Sequence, residues 1–288
     1  MEWIESIDRA IRYIEEHMTE TLSIDDIAKE AFLSPFYFQK GFSMLCGFTV
    51  GEYIRQRRLT LAGNALLTTD DKILDIALKY GYESPDSFTK AFTRFHGVTP
   101  TAVRKNGAMI KLFAPLKIKV SLEGGYIMDY RIVEKAPFTV MGISKVFQYE
   151  SAVSEIPKFW DEYFQTGKNR VIRGKYGINV DESMGGEKFT YWIADDYAPS
   201  EVLPDGVTTK VIPQYTWAVF ACRGAMPNAM QDVERQIFSE WLPNCEYEFA
   251  AGYNIELYND PANYPNGIQD EAYYSEVWIP VKAKQHMK

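Results

Sequence analysis

The chain has 288 residues, 46% hydrophobic and 24% charged, enough for two ordinary domains with real cores. Lys and Arg number 31 against 39 Asp and Glu, and the resulting net charge of −8 counts against strong non-specific nucleic-acid binding, which depends on neutralising phosphates. The acidic, amphipathic start is not a secretory signal and no apolar run could span a bilayer, so a cytoplasmic protein with no membrane partner is expected. Cys46, Cys222 and Cys245, with His17, His96 and His286, show no metal-ligand spacing; the expectation is reduced thiols, no metal and no cofactor.

Ile4, Ile7, Ile11, Ile14 and Met18 form an apolar stripe that predicts a first helix over residues 3–18. Ser23 caps a short helix from Ile24 to Ala31. Ser34-Pro35 then opens a helix that Gly47 closes. Val50 to Leu67 reads as one long helix of about 27 Å. Ile73 to Lys79 is another short amphipathic helix, ended by Gly81. Ser84-Pro85 opens a helix with Phe88, Phe92 and Phe95 on one face; Gly97 stops it, and Thr99-Pro100 begins the next.

These segments repeat. Ile24, Ile27 and Ala28 match Ile73, Ile76 and Ala77 at a separation of 49 residues; Ser34-Pro35, Phe38, Lys40, Phe42, Gly47 and Thr49 match Ser84-Pro85, Phe88, Lys90, Phe92, Gly97 and Thr99 at 50. Two helix-turn-helix units joined by a rigid helix can read successive major-groove faces of one duplex. Ile76-Ala77, Gly81-Tyr82-Glu83-Ser84, Phe88-Thr89-Lys90-Ala91-Phe92, Gly97-Val98-Thr99-Pro100 and Arg104 together resemble the signature of AraC/XylS-family transcription regulators. The resemblance implies an all-α, seven-helix double helix-turn-helix over residues 1–106. It places base-reading positions at Phe36, Gln39, Lys40 and Ser43 on the third helix and Asp86, Ser87, Lys90 and Arg94 on the sixth. Gln39 can pair with adenine, and Lys40, Lys90 and Arg94 can reach guanine or phosphate. Asp86 would repel phosphate unless it accepts from cytosine. Arg55, Arg57 and Arg58 fit either phosphate contact or a solvated helix face. Residues 1–107 carry 13 Lys+Arg against 15 Asp+Glu, so the few cations on the reading faces must supply most of the attraction.

After a linker at 107–115 the pattern changes to strands, and five of six Trp and 14 of 19 Tyr lie beyond residue 107. Ile118, Val120 and Leu122 alternate, Gly124-Gly125 turns, and Met128, Tyr130 and Ile132 alternate again, which predicts a hairpin. A β-α-β-β unit follows: a strand at Phe138–Val146, a helix near 152–166, and strands at Tyr176–Val180 and Phe189–Ala194. A second pass has Trp217–Cys222, a helix near 227–241, Tyr253–Tyr258 and Tyr274–Val281. The fold expected for residues 116–288 is therefore α+β, two pseudo-symmetric β-α-β-β units with a groove between their helices.

This order, with the ending Glu276-Val277-Trp278-Ile279-Pro280-Val281, resembles the GyrI-like small-molecule-binding domain. The resemblance makes Glu276 the effector-binding carboxylate. Tyr274 and Trp278 share its face of the strand, and Trp192 takes the matching place in the first unit. A carboxylate among aromatic rings suits a lipophilic cation, as in multidrug sensing; Glu256 is the reserve candidate. The expected partners are a double-stranded promoter site, a small-molecule effector and RNA polymerase, with no catalytic residue. Two alternatives stay open: a hydrolase using Glu276 as general base with Tyr274 as donor, and a protein-interaction module.

Overall fold

The computed structural model describes residues 2–118, 127–182, 188–197, 199 and 202–284. Helices come first: α1 (Glu2–Glu16), α2 (Ile24–Glu30), α3 (Pro35–Cys46), α4 (Val50–Thr68), α5 (Ile73–Lys79), α6 (Pro85–His96) and α7 (Pro100–Asn106). Their starts follow from local chemistry. The hydroxyls of Ser23, Ser34, Ser84 and Thr99 each accept a backbone N–H of the first turn. Thr49 and Glu52 form a reciprocal capping box at the head of α4. Both α3 and α6 end on a glycine in the left-handed region, Gly47 (φ 75°) and Gly97 (φ 81°), where a side chain would be strained.

The sequence repeat is also a spatial one. Phe38 and Phe42 of α3 pack with Ile27 and Ala28 of α2 and the buried stripe of α1, while Phe88 and Phe92 of α6 pack with Ile76 and Ala77 of α5. Helix α4 runs through both cores, with Val50 and Tyr53 in the first and Leu59 and Leu66 in the second. Its 19 residues span about 28 Å.

Of the three α4 arginines, Arg55 alone is exposed. Arg57 is buried; its Nε and Nη2 donate to the two carboxylate oxygens of Glu15 at 2.8 and 2.7 Å, and its Nη1 to Phe113 O at 2.7 Å. Arg58 donates to Met18 O and Glu20 O. These two residues are structural, which corrects the expectation of phosphate contact or a solvated face. The segment after α7 lies along the helices. Lys111 N donates to His96 Nδ1 at 3.0 Å, Phe113 N to Thr60 Oγ1 at 3.1 Å, and Leu116 N to Tyr53 Oη at 3.1 Å.

The second half comprises β1 (Tyr130–Lys135), β2 (Phe138–Gln148), α8 (Tyr149–Gln165), β3 (Tyr176–Val180), β4 (Lys188–Asp196), β5 (Thr208–Ile212), β6 (Tyr215–Arg223), α9 (Asn228–Gln236, continued by a wider turn at Ile237–Trp241), β7 (Tyr247–Phe249), β8 (Tyr253–Tyr258) and β9 (Tyr274–Ala283). One antiparallel sheet runs β1-β6-β9-β8-β3-β4-β2-β5, with β7 also on β9. The units β2-α8-β3-β4 and β6-α9-β8-β9 join where β3 meets β8, Ile178 facing Ile255. Strand β1 pairs with β6; Ile118 lies outside any strand, and the rest of the expected hairpin partner and its turn, residues 119–126, falls outside the described residues.

Side chains alternate across the sheet. One face carries Phe189, Tyr191 and Ile193 under α8, and Phe220, Cys222, Val277 and Ile279 under α9. The other carries Trp192, Ile178, Ile255, Trp217 and Trp278. Central strands β3 and β8 lie between the two helices, and the helix-side residues of β8, Glu256 and Tyr258, sit at the floor of that gap. No described helix is long and apolar enough to cross a membrane.

Candidate functional site

The eight expected base-reading residues divide by helix. On α6, Asp86, Ser87, Lys90 and Arg94 are all exposed. On α3, Phe36 is 2% and Gln39 8% exposed, and Ser43 is half-buried. Lys40 Nζ lies 2.6 Å from Glu234 Oε1 of α9, with both side chains largely covered. Tyr37 donates its hydroxyl to Ala251 O at 2.7 Å and lies 3.0 Å from Tyr253 O; its ring stacks on Phe249 of β7 at 3.4 Å. Phe36 meets Tyr149 at the head of α8. Helix α3 is thus docked on the sheet domain, and the expected base-reading residues Phe36, Gln39 and Lys40 are covered in this arrangement. The cause is chemical: α3 carries aromatic residues on more of its circumference than α6, and a second apolar surface covers them.

The docked helix sits over the gap between α8 and α9. There Glu256 Oε2 accepts from Tyr191 Oη at 2.9 Å and Tyr258 Oη at 2.8 Å, and Tyr191 Oη accepts from Trp160 Nε1 at 3.0 Å. The ring of Trp160 stands edge-on to Tyr258 at 5.6 Å. Glu256, Tyr258 and Trp160 keep partial exposure. Burial first, then the neighbouring charge of Glu234, pushes the Glu256 carboxyl above its ordinary range; Lys40 and the two tyrosine hydroxyls act against that rise. Burial also pushes the Tyr191 and Tyr258 hydroxyls well up, so both are neutral donors. Two carboxylates, three aromatic walls and one lysine borrowed from α3 therefore meet in one groove.

Glu276 lies on the opposite face. Its Oε1 accepts from Arg131 Nη2 at 2.8 Å and Tyr274 Oη at 2.6 Å, and its Oε2 from Trp278 Nε1 at 2.7 Å. Burial alone would raise its pKa, but the hydrogen bonds from Tyr274, Arg131 and Trp278 outweigh it and hold the carboxyl low. The rings already carry cations of the chain: Lys135 stands 4.9 Å from Trp278 and Arg223 5.0 Å from Tyr274. Trp192 is three strands away, about 14 Å, and lines a separate hollow of about 300 Å³ with Asp181, Glu182 and Lys210. Tyr274, Glu276 and Trp278 therefore come together, Trp192 takes the matching place on the same face three strands away, and Glu276 has its counter-ion in Arg131. A carboxyl held low is also poorly matched to general-base work near neutral pH.

Tyr191, Tyr258, Trp160 and Glu234 were not among the expected site residues, and Glu256 was only the reserve candidate. One signal pointed to them. Gly177 interrupts β3 opposite Glu256, and a Cβ there would lie 2.2 Å from Tyr191 Oη and 2.6 Å from Glu256 Oε2. A glycine inside a strand marks such a close approach.

A double helix-turn-helix joined to a pseudo-two-fold α+β domain defines a DNA-binding, ligand-sensing class of protein. Comparison with known families agrees. Residues 131–281, more than half of the chain, match the integron-associated effector binding protein family, and residues 27–106 match a helix-turn-helix domain. The regulatory protein SoxS of Salmonella typhimurium is 43% identical over 98 residues, 34% of this chain and 92% of SoxS. YbfP of Bacillus subtilis, an uncharacterised helix-turn-helix-type regulator, is 33% identical over 153 residues, 53% of this chain, which spans 48% of YbfP. The solved structure of SAV2435 bound to tetraphenylphosphonium is similar over 54% of this chain and 94% of that one, at 23% identity and a TM-score of 0.46. The chain belongs to the AraC-type helix-turn-helix regulators, with an integron-associated, GyrI-like effector-binding domain following the DNA-binding domain.

Proposed function

We propose that this protein is a one-component transcription regulator whose helical domain reads a promoter and whose sheet domain senses a small organic cation in the groove floored by Glu256. One observation carries the effector reading: a half-buried carboxylate is held by two neutral tyrosine hydroxyls under an indole, at the junction of the two β-α-β-β units. Ring faces attract a cation and a partly desolvated carboxylate supplies its counter-charge. The freely exposed Asp86, Ser87, Lys90 and Arg94 face of α6 supports the DNA reading. Reading chromosomal DNA assigns the protein to the cytoplasm, and RNA polymerase is the third partner that family resemblance implies.

The test measures both ligands. Glu256→Gln should weaken tetraphenylphosphonium at least about tenfold and leave neutral triphenylphosphine oxide nearly unaffected. Equal losses for both would remove the counter-ion role. Lys90→Ala with Arg94→Ala should weaken a duplex enriched from a random library and flatten its salt dependence; unchanged affinity would sink the DNA assignment.

A further inference from the structure

The groove already holds a cation. Lys40 belongs to a helix whose family role is to enter DNA, yet its ammonium is paired at 2.6 Å with Glu234, and both side chains are largely hidden from solvent, 14% and 7% exposed. Glu234 comes from α9, beside the groove that Glu256 floors. Two acids face one lysine, which has come from another domain. Removing that lysine would leave Glu234 buried without a counter-ion, a costly state that another cation relieves. Trp160, Tyr258 and Tyr191 stand next to the pair of acids, so an incoming cation would meet ring surfaces that the lysine leaves unused.

The anchor is one helix position wide, but it is not alone. Tyr37, three residues earlier on α3, is hydrogen-bonded to the backbone around Ala251 and stacked on Phe249. The same docking that delivers Lys40 to Glu234 hides Phe36 and Gln39. Occupying the acids from within and covering the reading face are one event. The second reading helix, α6, has its own core and stays outside it.

Resting on the effector reading above, we propose that Glu234 and Glu256 form the cation subsite of the groove and that Lys40 fills it in the unliganded protein. An organic cation competes with Lys40 and DNA competes with the docked position of α3. Both require α3 to leave, so each tightens the binding of the other. The coupling is reciprocal by linkage, and the apparent affinity of either ligand is lowered by the fraction of protein that is docked.

The experiment uses the full chain, with tetraphenylphosphonium binding followed by tryptophan fluorescence and calorimetry. Lys40→Met removes the internal competitor and should tighten the cation by about tenfold or more, whereas Lys40→Arg should stay within about twofold of the parent. Lys40→Gln, which keeps a polar end for the groove, is the second variant should the methionine protein fail to fold, and circular dichroism checks each. A library-enriched duplex should bind the parent about tenfold tighter when the cation is saturating. The proposal is overturned if Lys40→Met and Lys40→Gln bind the cation no tighter than the parent while Glu256→Gln still weakens it, or if the duplex affinity is the same with and without cation. If Glu256→Gln has no effect on the cation, the groove reading itself has failed, and the Lys40 proposal falls with it.

Discussion

Tyr37→Phe isolates the docking of α3 from its folding. The substitution deletes one hydroxyl and keeps the ring, which stacks on Phe249 at 3.4 Å and 2°. That hydroxyl is fully buried and donates to Ala251 O at 2.7 Å, with Tyr253 O at 3.0 Å. Both acceptors belong to the sheet domain, so the loss falls on the docked state alone. A net hydrogen bond contributes roughly 0.5–1.5 kcal/mol, and a carbonyl left buried without a donor adds to that, so docking should weaken by about 1–2 kcal/mol. At 1.4 kcal/mol per factor of ten, the undocked population rises about 5- to 30-fold. Two measurements follow the change. Amide exchange over Tyr247–Ala251 should quicken while that of α5 and α6 stays as in the parent. A library-enriched duplex should bind more tightly in the absence of any effector. Quickened exchange with unchanged duplex affinity would refute the idea that docking withholds α3 from DNA, and a fall in affinity would reverse it.

Three further outcomes follow from side chains already described. Arg57→Ala should cost about 2–3 kcal/mol in urea unfolding, because it leaves the half-buried Glu15 carboxylate beside Tyr53 without its counter-ion and frees the strap at Phe113; a loss under about 1 kcal/mol would mean that solvent replaces the guanidinium. Glu276→Gln and Arg131→Ala should leave tetraphenylphosphonium affinity within about twofold, since that pair sits on the face of the sheet away from the groove; a tenfold loss would restore Glu276 as the effector carboxylate. Burial holds the His96 imidazole below the ordinary 6.5, and its Nδ1 accepts from Lys111 N, so the folded state needs the neutral ring. The unfolded chain then binds the proton more readily, so stability is full above about pH 6.5, falls as the pH drops, and stops falling below the folded value. Urea midpoints between pH 7.5 and 5 should show this slope in the parent and a flatter one in His96→Gln.

Much of the architecture was legible because it is written in local signals. Ser34-Pro35 and Ser84-Pro85, each followed by a phenylalanine stripe and a stopping glycine, define α3 and α6 without any knowledge of what packs on them. The β-α-β-β repeat is visible for the same reason, as alternation and helical spacing are properties of short stretches. Two strands were harder. β5 and β7 are five and three residues long, with few positions on which to establish a period. The choice of site carboxylate was less legible. Glu276 and Glu256 both sit in aromatic strands, and sequence cannot say which sheet face the helices cover. Nor could it show that Arg131 would reach Glu276, 145 residues away, or that Lys40 would reach Glu234 across 194. Those pairings decide which carboxylate is satisfied within its own domain and which is not.

The asymmetry between α3 and α6 leads to a last prediction, about footprint. In the docked state the protein still exposes Asp86, Ser87, Lys90 and Arg94, so on the proposed DNA reading it binds with one reading head rather than none. The first core is continuous with the apolar side of α9, from Phe36 and Phe38 to Met230 and Phe238, so α3 cannot leave without exposing apolar surface. Neither ligand then switches the protein easily alone. Moving a docked fraction from 99% to 1% needs about 5.5 kcal/mol of differential binding, which a cation at Glu256 and a second groove contact can supply jointly. Hydroxyl-radical footprinting should therefore show one protected patch without cation, under α6, and two patches about one helical turn apart once tetraphenylphosphonium is saturating. The salt slope of binding should steepen at the same time, as more phosphates are contacted. Two equal patches in the absence of cation would mean that α3 undocks on DNA unaided, and that the contact between Lys40 and Glu234 contributes structure without regulation.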